Sequence, residues 1–238
     1  MDFIEGEILC FDKPLRWTSF NLVAKIRSQL CHRLGVKKLK VGHAGTLDPL
    51  ATGVMVVCTG KATKRIDELQ AHVKEYVATL QLGATTPSFD LEKPIDQTYP
   101  TAHITEALLR EVLTRFLGRI EQVPPAFSAC KIDGKRAYDL ARKGREVDLK
   151  PKVLVIDEIE LQDFNPEKMQ ATIRVVCSKG TYIRALARDI GQALQSGAHL
   201  ISLRRTRVGN VRVEDCMKVE DFPDWLQQQE LRHNEITS

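Results

Sequence analysis

At 238 residues with 43% hydrophobic side chains the chain can bury a substantial core, which excludes a disordered or fibrous polymer. A net charge of +4 is mild, so an anionic partner must be recognised by where the basic residues cluster and not by their sum. Six cysteines with no CxxC pair, a start (MDFIEGEILCFDKP) carrying acid in place of a basic leader, and no apolar run of membrane-spanning length predict a soluble cytoplasmic protein with reduced thiols.

The first element is a strand-like GEILCFDKP. Ser19 is placed to cap a helix whose apolar residues Leu22, Val23, Ile26, Leu30 and Leu34 form one stripe, with Gly35 as its stop. Arg33, Lys37, Lys38 and Lys40 follow as a basic patch. EYVATLQLGATT alternates as a half-buried strand ending at Gly83, and a helix is predicted over about 105–117, from Thr105 to Gly118. VLVIDEIELQDF and MQATIRVVCS read as an antiparallel pair around the turn Asn165-Pro166. Ile183, Leu186, Ala187, Ile190 and Leu194 mark another helix, stopped by Gly197, and the acidic stretch from 214 reads as a closing helix and tail. Strands and helices do not alternate strictly, so the expected class is α+β with a largely antiparallel sheet.

In GHAGTLDPLATG, Gly42, Gly45 and Gly53 permit close backbone approach or positive φ, and Pro49 restricts both itself and Asp48. Such surroundings aim a carboxylate, although Asp-Pro is also a common turn. His43 lacks a second His at ligand spacing; it either stacks on a base or hydrogen-bonds within the loop. Tyr76 shares a strand face with Ala78, Leu80 and Leu82, where a tyrosine is either core or a ring presented to a base. Arg184 and Arg188, spaced i, i+4, form either a solvated basic face or partners for a buried carboxylate and phosphate. Lys131 to Lys152 holds eight Lys and Arg against four acids, and SLRRTRVGNVR adds Arg204, Arg205, Arg207 and Arg212 without an acid. Separate basic stretches suit a folded nucleic acid better than a small anion. No Walker or dinucleotide-binding glycine motif is present, so nucleotide-cofactor chemistry has no visible home.

Taken in order, GHAGTLDPLATGVMVVCTGKATK, KEYVATLQLG, PPAFSACKIDGKRAYDLARKG, CSKGTYIRALARDIGQAL and GAHLISLRRTRVG resemble the TruB family of tRNA pseudouridine synthases, from about residue 5 to 213. The resemblance implies the pseudouridine synthase fold, a mixed, largely antiparallel sheet with flanking helices around a central RNA-binding cleft. It also implies isomerisation of uridine 55 in the T-loop of tRNA after the base is flipped out of its stack. By motif position Asp48 is the catalytic aspartate, Tyr76 the aromatic packed on the target base and Arg184 the partner of the Asp48 carboxylate. His43, Lys64, Lys179, Tyr182, Leu203 and Arg205 are the implied substrate contacts. The N1–C1′ bond breaks and C5 rejoins C1′; nothing is oxidised and no group leaves, so no redox cofactor, metal or ATP is expected.

Two departures from the family pattern stand out. The turn after the Tyr76 strand, usually rich in Thr and Asp, reads TTPSFDLEK. The chain also ends about 25 residues after the last motif, so the expected organisation is a catalytic domain over 1–213 and a closing segment over 214–238, a short form without the C-terminal PUA domain. The expected partner is the T-arm of tRNA, with no membrane and no obligate protein partner. A non-catalytic RNA-binding protein on the same fold is the main alternative, and a metal-dependent nuclease, which would gather several carboxylates, a distant one.

Overall fold

The computed structural model describes residues 1–128, 131–132, 135–143 and 148–232. In chain order they form β1 (Ile8–Lys13), α1 (Ser19–Leu34), β2 (Val41–His43), β3 (Ala51–Thr59), α2 (Ile66–Gln70), β4 (Lys74–Leu82), β5 (Ala84–Thr85), β6 (Gln97–Thr98), α3 (Glu106–Thr114) and β7 (Gly118–Gln122). There follow β8 (Lys131–Ile132), β9 (Lys135–Arg136), α4 (Ala137–Arg142), β10 (Lys152–Asn165), β11 (Gln170–Cys177), α5 (Ile183–Ala193), β12 (Ala198–Val208), β13 (Val211–Arg212), β14 (Met217–Lys218) and α6 (Phe222–Gln227). The class is α+β with mostly antiparallel pairing, as expected; β1 with β14 is a parallel exception. Two compact units divide the chain, one made of Met1–Lys74 with Arg204–Ser238, the other of Glu75–Leu203. Cys130, one of the six cysteines, and Asp133, Arg145 and Glu146, counted among the charges of Lys131 to Lys152, lie outside the described residues.

The first unit is organised around β1. It pairs antiparallel with β3 from Ile8 opposite Cys58 to Lys13 opposite Gly53, and parallel with β14 on its other edge. Alternation along β1 buries Leu9, Phe11 and Lys13 on one face. α1 sets its stripe of Leu22, Val23, Ile26 and Leu30 into the core, and Arg27 donates to the Val41 carbonyl at 2.9 Å. The cap lies one residue before the expected one. Thr18 is the N-cap: its hydroxyl accepts from Asn21 N at 2.9 Å while the Asn21 side chain accepts from Thr18 N at 3.0 Å, a reciprocal box that frees Ser19 for another task. Gly35, at φ +66°, ends it as predicted.

In the second unit β4 neighbours β11, β11 pairs with β10, and β10 pairs with β7. The predicted hairpin around Asn165-Pro166 is present, closing at Asn165 opposite Gln170. β4 buries Tyr76, Ala78, Leu80 and Leu82 on one face, the alternation read from its sequence. α3 starts after Thr105, whose hydroxyl accepts from Leu108 N, but stops at Thr114 and not at 117; Arg115 to Leu117 continue in tight turns and Gly118, at φ +88°, opens β7. α5 is amphipathic, with Ile183, Leu186, Ala187 and Ile190 buried, and the chain leaves it through Gln195 at φ +52°.

Phe222, fully buried, carries α6 against β1: its ring meets Phe11 edge-on at 5.4 Å and stacks on Trp225 at 5.7 Å. Phe222→Ala is expected to cost about 3–5 kcal/mol, the range for emptying an aromatic site in a core. Urea unfolding monitored by tryptophan fluorescence measures it, and a loss below about 1 kcal/mol would mean that α6 does not anchor to β1.

Candidate active site

The glycine- and proline-rich segment runs from the end of β2 to the start of β3, and its backbone is held at several points. Ala44 N donates to Val56 O and Ala51 N to Asp48 O, each at 2.9 Å, so Asp48 opens a turn with Pro49 at its second position, where a fixed φ fits. Ser19 is buried and bonds both ways to Leu47: its hydroxyl donates to the carbonyl at 3.1 Å and accepts from the amide at 2.9 Å. Arg16 N donates to Pro49 O at 2.7 Å. The Asp48 backbone is therefore clamped on both sides while the residue itself stays half-buried.

Arg205 supplies the largest of these restraints. Only 2% exposed, it donates from Nε to Val54 O at 2.8 Å, from Nη2 to Gly45 O at 3.1 Å and from Nη1 to Thr46 O at 3.5 Å. Gly53, at φ +111°, is required here: a Cβ would lie 2.1 Å from the Arg205 carbonyl oxygen. Arg205, expected above among the substrate contacts, turns its guanidinium onto three backbone carbonyls of the loop and of β3. Its neighbours in the same basic stretch are also engaged internally. Arg204 forks onto Asp12 at 2.7 and 3.1 Å and donates to Thr52, and Arg207 donates to Gly209 O at 2.9 Å. Arg212 remains exposed.

Two further groups set the charge around Asp48. Lys13, fully buried at the end of β1, donates from Nζ to Trp17 O at 2.6 Å and Pro14 O at 3.0 Å. Burial pushes its pKa down to about 8, against the attraction of Asp48 and with the repulsion of Arg205. His43 is half-buried at the end of β2; desolvation, then the Arg205 charge, hold its pKa below the ordinary value, which favours a neutral ring at pH 7. Lys64 is exposed and lines a cavity of about 360 Å³ with Lys40, Val41, Gly42, Thr63, Ile66 and Asp67, beside the basic patch after α1.

Within the second unit Arg184 is 4% exposed in the first turn of α5. It donates from Nη1 to Ser88 O at 3.2 Å, and its Nε lies 4.0 Å from the Asp90 carboxylate, itself 5% exposed. The TTPSFDLEK turn thus provides a buried acid for this arginine, held by Thr86 Oγ1 donating to Asp90 O at 2.6 Å. Arg188, at the next turn, lies over the Phe89 ring at 4.9 Å. Tyr182 is the N-cap residue of α5 and is gripped by Gln122 through two bonds, its amide to Oε1 at 2.9 Å and its carbonyl from Nε2 at 3.1 Å. Lys179 is exposed just before that helix, Leu203 is half-buried on β12, and Tyr76 is 8% exposed on β4.

The first unit accordingly brings together Asp48, His43 and Arg205, and the second gathers Tyr182 and Arg184 at the start of α5. Sequence reading missed Ser19, Lys13 and Asp90. A lysine directly before a proline at the end of an alternating strand was the available signal for Lys13. Asp90 stood in the one stretch read as a departure, and Ser19 was read as a cap.

Residues 32–183 match the family model described as TruB family pseudouridylate synthase (N terminal domain), and residues 184–237 that of the tRNA pseudouridylate synthase B C-terminal domain. The chain is 73% identical to tRNA pseudouridine synthase B of Phocaeicola vulgatus, over 97% of both chains, and 69% identical to that of Bacteroides thetaiotaomicron, over 99% of both. Among solved structures it is similar to a chain of a Cbf5-Nop10-Gar1 complex, with a TM-score of 0.69 and 30% identity over 95% of this chain and 56% of that one. A chain from an H/ACA RNP bound to a substrate RNA containing 2′-deoxyuridine gives a TM-score of 0.66 at 28% identity, over 94% and 54% respectively. The chain spans about half the length of these solved relatives.

Because folding lowers the pKa of Lys13, the unfolded chain takes up this proton first as pH falls from 10.5 to about 8; stability from this residue is lost across that window and constant below it. The unfolding free energy of the wild type relative to Lys13→Met should therefore fall between pH 10.5 and 8, by on the order of 1–3 kcal/mol, and then level off. A difference that does not change with pH would show that Lys13 keeps an ordinary pKa in the fold.

Proposed function

This chain belongs to the TruB family of pseudouridylate synthases, isomerases of uridine in tRNA, and from that premise we propose that its target is uridine 55 of the T-loop and that Asp48 is the essential carboxylate. The observation that supports this reading best is the clamped loop: one carboxylate, half-exposed, on a backbone fixed by Ser19, Arg16 and Arg205.

Chemistry explains why that is the useful arrangement. Isomerisation breaks the N1–C1′ glycosidic bond, turns the uracil and joins C5 to C1′, so the base and sugar stay within the same site throughout. Attack at C1′ and removal of a proton both need an ionised oxygen delivered to a nucleotide that arrives from outside, and a loop fixed in advance removes the cost of ordering it at that moment. A T-loop base is stacked, so it must be everted first. In this reading Tyr76 packs on the target base, and Arg184 is the cation for the reacting carboxylate. Its burial fits, because a guanidinium out of water holds an anion through charge-assisted bonds that water does not weaken. His43, kept neutral, is suited to lie against a flipped nucleotide without adding charge. The exposed Lys40, Lys64 and Lys179 are candidates for the phosphate backbone of the T-arm.

An unmodified tRNA transcript carrying tritium at C5 of uridine tests the assignment, because forming the C5–C1′ bond expels that hydrogen, and primer extension after carbodiimide treatment maps the modified position. The wild type should release tritium and stop primer extension at position 55 alone. Asp48→Asn should release none while binding tRNA within a few fold of wild type, since affinity rests on many basic contacts. Turnover by the purified variant would remove Asp48 from the mechanism, and a stop elsewhere would reassign the target.

A further inference from the structure

Three cysteines of the first unit share one face of neighbouring strands. Cys10 lies opposite Val56 in the pairing of β1 with β3, and Cys58, two residues further along β3, points to the same side. On the other edge of β1 the parallel register sets Phe11 against Met217 and Asp12 against Lys218; continued by one residue, it aligns Cys10 with Cys216. Both side chains pack on the same apolar cluster of Ala44, Val54, Val56, Val208 and Val213, and the Cys216 thiol donates to the Arg212 carbonyl at 3.4 Å. Aligned residues on paired strands have Cα atoms about 5 Å apart, inside the range that a disulfide spans. Cys10 and Cys216 are both free and partly exposed, whereas Cys58 is fully buried.

We propose that Cys10 and Cys216 are a dithiol modification site, converted by a peroxide into a disulfide that fastens the C-terminal segment to β1. Cys10 is the attacking sulfur. The neighbouring Cys216 side chain pulls its pKa down, whereas Cys10 and burial push that of Cys216 up. The Cys10 thiolate attacks one peroxide oxygen; the O–O bond breaks, hydroxide leaves and is protonated to water, and Cys10 becomes a sulfenic acid. The Cys216 sulfur then attacks the Cys10 sulfur, the S–O bond breaks, and a second water departs with the Cys216 proton. Two electrons pass from the sulfurs to the peroxide, and two thiols with one peroxide give one disulfide and two waters. Cys58, desolvated and with its pKa raised by burial, stays out of the exchange.

The test treats the purified full chain with hydrogen peroxide, alkylates the remaining thiols and maps peptides by mass spectrometry without reductant. A linked peptide pair containing Cys10 and Cys216, released by dithiothreitol, is expected as the main product. The melting midpoint should rise by several degrees, because the bond closes a loop of most of the chain. In Cys216→Ser the same treatment should leave Cys10 as a sulfenic acid that dimedone traps, with no rise in melting midpoint. Peroxide-treated wild type that carries the dimedone adduct or higher oxides at Cys10 without the linked pair would overturn the proposal. A Cys10–Cys58 bond as the main product would overturn it equally.

Discussion

The buried guanidinium of Arg205 is the interaction on which the rest of the first unit's chemistry depends. An arginine cannot shed its charge, so taking it out of water demands acceptors for its N–H groups, and here the acceptors are the carbonyls of Gly45, Thr46 and Val54. Those three carbonyls flank the Asp48 turn on both sides. The constraint therefore runs both ways: the loop satisfies the arginine, and the arginine fixes the loop. Gly53 follows from the same fact, because the β12 backbone at Arg205 comes so close that no Cβ fits.

That arrangement also shapes the charge around the carboxylate. Arg205 and Lys13 are two buried cations whose repulsion helps to lower the Lys13 pKa, and Asp48, followed by Asp12, opposes the shift. The same Arg205 charge acts on His43 and favours its neutral form. A carboxylate, a neutral ring and two cations thus depend on one another, drawn from β1, β2, β12 and the loop before β3. Moving any one of them changes the solvation of the others, which is why sites of this kind tolerate substitution poorly. The second unit builds its own version of the principle, with Arg184 buried against Asp90 and the Ser88 carbonyl at the first turn of α5.

Much of the fold was legible because it rests on periodicity. The α1 stripe, the alternation of β4 and the hairpin of β10 with β11 could each be read from spacing, and Gly35 ended its helix where expected. Boundaries set by side-chain chemistry were harder. Thr18 and Ser19 are both competent caps, and only the Leu47 backbone, 28 residues away, decides that Ser19 belongs to the loop. The end of α3 came early because Gly118 opens a strand and does not cap the helix. The candidate site was legible as a list of motif residues, but not in its division of labour. In SLRRTRVGNVR a row of arginines reads as an RNA-contacting surface, yet Arg204, Arg205 and Arg207 all turn onto protein acceptors. Burial of a charge depends on long-range partners such as Gly45 and Asp12, and local composition carries no trace of them.

The contacts of Arg205 with Gly45, Thr46 and Val54 point to a positioning role for the Asp48 loop, distinct from binding RNA. Single-turnover rates and tRNA affinity of Arg205→Lys separate these roles, since a lysine keeps the charge but cannot fork onto three carbonyls. A positioning role predicts a rate constant at saturating enzyme reduced by about tenfold or more, roughly 1.4 kcal/mol of lost transition-state stabilisation, with the tRNA dissociation constant within about threefold of wild type. An unchanged rate constant accompanied by a weaker dissociation constant would contradict it and return Arg205 to the RNA-binding surface.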